Sequence, residues 1–247
     1  MNVEQNKDWM KESKPIDHLE VEICFQLAEP FYMGDPNNSR QLDDDKFYEE
    51  TKLPSFARVI ETMARTREVI SNEQELANHY KAIVDYSSSQ GLSLDEVRQY
   101  FWLRLWFWNT KENVHIGFPW YDTLSEMQSF FKWISTSSET EPFEDMDQGW
   151  QFDAIVKDDR VYLREAEFNT DEEYANISVP VANFVKEITA VEKRAISVIT
   201  ELTEELGVDV WTTHLQSANF GTSTWQPKEY GPKRYKASFI RRLLRLD

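Results

Sequence analysis

The residues best suited to chemistry lie between Glu139 and Glu173, where thirteen acids stand against three bases. Asp153 on one strand and Glu165 with Glu167 on the next could converge as carboxylates do around Mg²⁺ at hydrolytic centres. Other chemistries have less to stand on. His18, His79, His115 and His214 are scattered, with no H-x-x-x-H or H-E-x-x-H pair, so zinc ligation has no local support. Cys24 is the single cysteine, with no basic neighbour in sequence to lower its pKa, and reads as inert. Seven glycines and no G-x-G-x-x-G or P-loop pattern argue against a phosphate-cradling loop. No motif names a reaction, and the chain is expected not to be an enzyme and to use no metal or cofactor.

The same acids support a second reading, which begins with charge. The chain holds 27 Lys+Arg against 44 Asp+Glu, a net charge of −17. Trp225 to Asp247 contain seven bases and two acids, so residues 1–224 carry −22 and the tail +5. Solubility of a small domain needs a net charge of magnitude about 2–8, far below this. Such a body repels nucleic acid and anionic membrane and steers a basic partner toward itself. The residues expected to meet that partner are Asp145, Asp147, Asp158, Asp159, Glu165, Glu167, Asp171, Glu172 and Glu173. The basic tail is expected to fold back on its own acidic body.

The elements that must position these residues follow from periodicity. Leu19 to Leu27 alternates strictly and reads as a strand. Residues 34–53 read as an acidic loop, and Phe56 to Ile70 as a helix. A further helix is expected from Ser71 to before Gly91. Ser93 and Glu96 form a capping box that opens an expected helix over 94–110, apolar on nearly every side and therefore central. A short strand at Val114 to Phe118 and a helix at Asp122 to Ile134 follow. Trp150 to Val156 and Val161 to Phe168 form a hairpin, Ser178 and Pro180 open a long helix to Leu206, and Val208 to Thr213 reads as a last strand. The result is an α+β fold, helix-rich, with a small, mostly antiparallel sheet and a central apolar helix. It is taken as one domain over 1–247, with a soft boundary at 135–148 and a basic C-terminal tail at 225–247. No apolar run is long enough to span a bilayer, and the lone cysteine and acidic N-terminus without an apolar h-region point to the cytoplasm.

Gly149-Trp150-Gln151-Phe152 through Leu163-Arg164, then an acidic loop and a long amphipathic helix, resembles bacterial immunity proteins of polymorphic toxin systems over roughly residues 149–206. That resemblance implies a small acidic α+β protein that binds a cognate toxin, commonly a basic nuclease, and covers its active site or substrate groove. Immunity families share no catalytic residues, so no role passes to any position here. The hairpin also loosely resembles the Asp…Glu-x-Lys strand pair of restriction-type nucleases, but position 167 is Glu where the Lys belongs, and the negative charge opposes DNA binding. A glycosidase-type carboxylate pair stays open, because separations are invisible in sequence. The expected function is therefore inhibition of a basic protein, with no direct nucleic-acid contact. A metal-dependent hydrolase on Asp153, Glu165 and Glu167, or a nucleic-acid-mimicking inhibitor, is the alternative.

Overall fold

The computed structural model describes residues 5–28, 30–32, 48–89, 91–118, 123–137, 142–147, 149–170 and 172–213. The expected tail at 225–247, Asp171 and most of the 34–53 loop lie outside these. In chain order the strands are β1 (Lys14–Pro15), β2 (Glu20–Gln26), β3 (Pro30–Tyr32), β4 (Tyr48–Glu50), β5 (Met63–Arg65), β6 (Leu103–Asn109), β7 (Val114–Gly117), β8 (Phe143–Asp147), β9 (Trp150–Lys157), β10 (Arg160–Glu167) and β11 (Glu172–Pro180). The helices are α1 (Thr66–Val69), α2 (Glu73–Ser89), α3 (Leu124–Thr136) and α4 (Val181–Leu206), with 3₁₀ turns at Gln5–Glu12 and Arg98–Tyr100. One sheet has the order β1-β11-β10-β9-β8, with β1 parallel to β11 and every other pair antiparallel. The second, β5-β2-β6-β7, is antiparallel throughout, and β3 pairs with β4 alone.

These two sheets overturn the helix-rich expectation. The segment read as a central apolar helix contains β6, a middle strand of the second sheet. Leu103, Leu105 and Phe107 face the core, while Arg104, Trp106 and Trp108 are buried on the other face. A strand covered on both faces shows an unbroken apolar run instead of alternation, and such a run also fits a buried helix. Ser93 and Glu96 do pair, through Ser93 N and Oγ to Glu96 Oε2 at 2.8 and 2.9 Å, but the pair closes a turn. Three further expectations change. Residues 56–70 hold β5 and α1 where one helix was expected. Glu172 and Glu173 begin strand β11 instead of lying in a loop. Residues 208–213 bend, and the Trp211 and Thr212 carbonyls accept from Leu124 N (2.8 Å) and Ser125 N (3.0 Å), satisfying orphan donors at the start of α3. Within 135–148 the chain forms β8, which pairs with β9 from Phe143 to Asp147.

The long helix behaves as its sequence demands. Pro180 precedes it, and Val181 N donates to Asp159 O at 2.9 Å. Gly207, at φ 73°, ends it in the left-handed conformation that favours glycine. Its buried stripe, Phe184, Ile188, Val191, Ala195, Ile199 and Leu202, recurs at helical spacing and packs on β2, α2 and the first sheet. Phe107 and Phe152, one from each large sheet, lie 6.3 Å apart between centroids, and Phe107 meets Phe184 at 5.2 Å, so the sheets and α4 share one core.

Two polar groups tie this core together. Glu22, fully buried on β2, accepts from Arg67 Nε (2.6 Å), Arg194 Nη2 (2.6 Å) and Thr66 Oγ1 (2.9 Å). Arg67 Nη1 also reaches Glu20 at 2.8 Å. Two carboxylates and two guanidiniums thus fasten α1 and α4 to β2. His79 on α2 is buried and bonded on both ring nitrogens: Nε2 accepts from Ala28 N (3.4 Å), so Nδ1 carries the hydrogen shared with Lys52 O (3.2 Å). Burial pushes its pKa down, the Lys52 carbonyl opposes this, and the Arg58 charge adds a further decrease.

Candidate functional site

The first sheet fixes where the expected site residues fall. Trp150, Phe152 and Ala154 of β9 face inward, opposite Glu167, Glu165 and Leu163 of β10. Gln151 and Asp153 face outward, opposite Ala166 and Arg164. The hydrolase trio is therefore split: Glu165 and Glu167 share the inner face, and Asp153 lies on the other side of the sheet. There its Oδ2 receives Arg164 Nε (2.8 Å) and Nη2 (2.7 Å), and Gln151 Nε2 bonds both carboxylate oxygens at 2.9 and 3.0 Å. Arg164 lies over the Trp9 ring at 5.6 Å. Among the described residues no group of three His, Cys, Asp or Glu is placed to hold a metal ion.

What the sheet does assemble is an acidic end. Asp145, Phe152, Glu165 and Ala175 form one cross-strand row through β8, β9, β10 and β11. Met146, Gln151, Ala166 and Glu173 form the next, and Asp147, Trp150, Glu167 and Glu172 the third. A bulge in β11 at Tyr174 lets the last two rows close. Six of these twelve positions are acidic and none is Lys or Arg. Asp145 and Glu165, and Asp147 and Glu167, stand two strands apart, roughly 9–10 Å between backbones, whereas Glu167 and Glu172 are directly opposite on neighbouring strands.

The aromatic residues organise this end. Trp150 stacks on Phe152 at 6.0 Å and donates Nε1–H to Glu165 Oε1 at 2.9 Å, which holds the nearly buried Glu165 inside the sheet. Tyr174 Oη–H donates to Glu167 Oε2 at 3.3 Å. Gly149, at φ 104°, brings the backbone under this carboxylate; a Cβ there would collide with Glu167 Oε1 and lie 2.9 Å from Asn169 Nδ2. Glu172 and Glu173 are exposed, and Asp145 and Glu167 are half-buried. Met146 and Phe168, each 57% exposed, place apolar surface beside the acids.

Asp158 and Asp159 do not join this end. Both have positive φ, 48° and 58°, and form the two-residue turn between β9 and β10. Eight residues of extended chain, roughly 26 Å, separate Asp159 from Glu167. The bases Lys157 and Arg160 flank them, and Arg160 Nη2 is engaged with the Ser178 and Ile16 carbonyls at 2.6 and 3.1 Å. Trp150, Tyr174, Met146 and Phe168 escaped the sequence reading as members of this site. Trp150 and Phe168 belong to the expected hairpin itself, whereas the pairing of β8 and β11 with it brings Met146 and Tyr174 there, where the sequence reads an acidic loop.

Elsewhere, a groove of ≈ 470 Å³ between α3 and α4 is lined by Leu124, Gln128, Ile196, Ile199, Thr203 and Asp209. Asp209 Oδ1 is occupied there by Trp211 N and Thr212 N, both at 2.9 Å. Among the described residues no helix is long and apolar enough to cross a membrane. The chain matches no protein-family model, no characterised protein and no solved structure.

Proposed function

We propose that this chain is an acidic binding protein whose acidic sheet end docks a basic protein, and that it acts as an immunity protein against a toxin domain in the cytoplasm. The observation that carries this reading is three consecutive cross-strand rows with six acids and no Lys or Arg, beside exposed Met146 and Phe168. Charge of one sign on a rigid sheet steers association, and adjacent apolar side chains supply short-range contact area. The resemblance of 149–206 to immunity proteins adds the inhibitory role. The hydrolase alternative loses support because its three carboxylates lie on two faces. A partner bound this way presents Lys and Arg where a nuclease holds phosphate, so the acids occupy those subsites and catalysis stops.

The test is capture from the native host with the full chain, followed by assay of the recovered protein. The expected result is one basic protein that the wild type inhibits, with association slowed at least tenfold by Glu167→Lys with Glu172→Lys and much less by Asp158→Lys with Asp159→Lys. Equal rates for the two double variants remove the acidic end as the docking surface. A captured protein whose activity is untouched by the wild type removes the inhibitory role.

A further inference from the structure

The groove between α3 and α4 combines an apolar floor with charge of one sign. Leu124 and Ile199, both nearly buried, form the floor, and Ile196, 46% exposed, stands at the rim. From Ile196 to Glu204 the lining follows α4 for about 12 Å. Glu204 and Asp209 line it, and no Lys or Arg does. Glu204 is exposed and has no bonded partner among the described residues. Asp209 Oδ1 is held by Trp211 N and Thr212 N, which leaves Oδ2. Thr203 supplies a further polar group. Thr189 and Thr200 close their hydroxyls on Val185 O and Ile196 O at 2.8 Å, whereas Thr203 Oγ1, buried in the groove wall, has no partner among the described residues.

These features select an occupant. Two helices form the long walls, and their backbone groups are used within each helix, so an extended strand gains no backbone pairing there. A helix arrives with its own backbone satisfied and fills such a groove with apolar residues at i, i+3 and i+7. A second copy of this chain would bring a net charge of −17 toward the acids and is repelled. A Lys ammonium carries three donors, and the Asp209 end offers it Glu204, Asp209 Oδ2 and Thr203 Oγ1 as acceptors. We propose that the groove docks an amphipathic helix of a partner protein, with its apolar stripe on Leu124, Ile196 and Ile199 and a Lys or Arg against Glu204 and Asp209. This surface lies on the helices, and its test stands apart from the reading of the acidic sheet end.

The probe is the blocked peptide Ala-Lys-Ala-Leu-Arg-Lys-Leu-Ala-Lys-Ala-Leu-Arg-Lys-Ala, dye-labelled and titrated into the full chain with anisotropy as the readout. Its leucines form one stripe. The control peptide holds the same residues reordered so that the leucines point to three sides, which keeps charge and composition. The striped peptide is expected to bind about tenfold more tightly than the control. Ile196→Asp should abolish that advantage even though it adds an acid, because Ile196 supplies apolar contact; its exposure leaves the urea midpoint in place. Glu204→Gln should weaken the striped peptide about threefold at low salt and leave it unchanged at high salt. Equal affinity of the two peptides, no binding of either, or an advantage that survives Ile196→Asp overturns the groove as a docking site. A Glu204→Gln variant without effect at low salt overturns the choice of a basic helix. Glu167→Lys with Glu172→Lys should lower both affinities alike; loss of the striped peptide's advantage in that variant places the contact at the sheet end and overturns the groove.

Discussion

Glu22 and the acidic sheet end put the same side chain to opposite uses. Around Glu22, two carboxylates meet two guanidiniums within 2.8 Å, and the cluster fastens α1 and α4 to β2. At the end of the first sheet, six acids share three rows with no base. A carboxylate that is buried and paired holds a fold together, because leaving it or its partner alone in the interior is costly. At the sheet end, Glu165 and Glu167 instead accept from Trp150 Nε1 and Tyr174 Oη, donors that carry no charge, in rows that hold no Lys or Arg. Net charge reports the sum of both kinds and cannot distinguish them.

Substitutions at the two sites should separate accordingly. The largest effect is expected for Glu22→Ala, which takes the carboxylate from Arg194 and leaves Arg67 with Glu20 alone, and should cost about 3–5 kcal/mol in urea unfolding. Glu167→Gln should leave the urea midpoint nearly unchanged and lower affinity for the partner. A comparable loss of stability in both would erase the distinction. Next comes Gly149→Ala, which places a Cβ against the Glu167 carboxylate at φ 104° and should cost roughly 2–3 kcal/mol. If it costs nothing, Glu167 is not held where the site requires.

His79 supplies a smaller, pH-dependent term remote from the acids. Its folded pKa lies below the ordinary value, so the unfolded chain binds the extra proton first. The stabilisation is complete above about pH 6.5 and declines as pH falls below it, by at most about 1.4 kcal/mol per pH unit. His79→Gln should flatten that part of the pH–stability curve; an unchanged slope would assign it to other groups. The smallest effect is expected at the far turn. Asp159→Gly relieves a positive φ and should raise stability by roughly 0.5 kcal/mol with no change in partner association, measured by melting and by rate.

Much of this fold is legible in the chain, and the misses share a cause. β2, the β9–β10 hairpin, α2, α3 and α4 show their period or their end signals, as with Gly207 closing α4. The segment 103–109 fails because Arg104, Trp106 and Trp108 are buried as well as Leu105 and Phe107, so two of the three outer positions are apolar and the alternation is lost. Glu172 and Glu173 look like a loop because three acids in a row resemble solvated chain, yet β11 needs only β10 beside it to form. Of the nine residues expected to meet a partner, the register brings Asp145, Asp147, Glu165, Glu167, Glu172 and Glu173 to one end and sends Asp158 and Asp159 to the other.

Local composition determined the acidity of this protein, the period of its exposed strands and the limits of its long helix, because those depend on a residue and its near neighbours. Which acids stand together was decided by pairing between strands distant in sequence. A one-residue change of register moves a carboxylate to the opposite face, and so Asp153 pairs with Arg164 on one face of the sheet while Glu167 lies on the other beside Glu165.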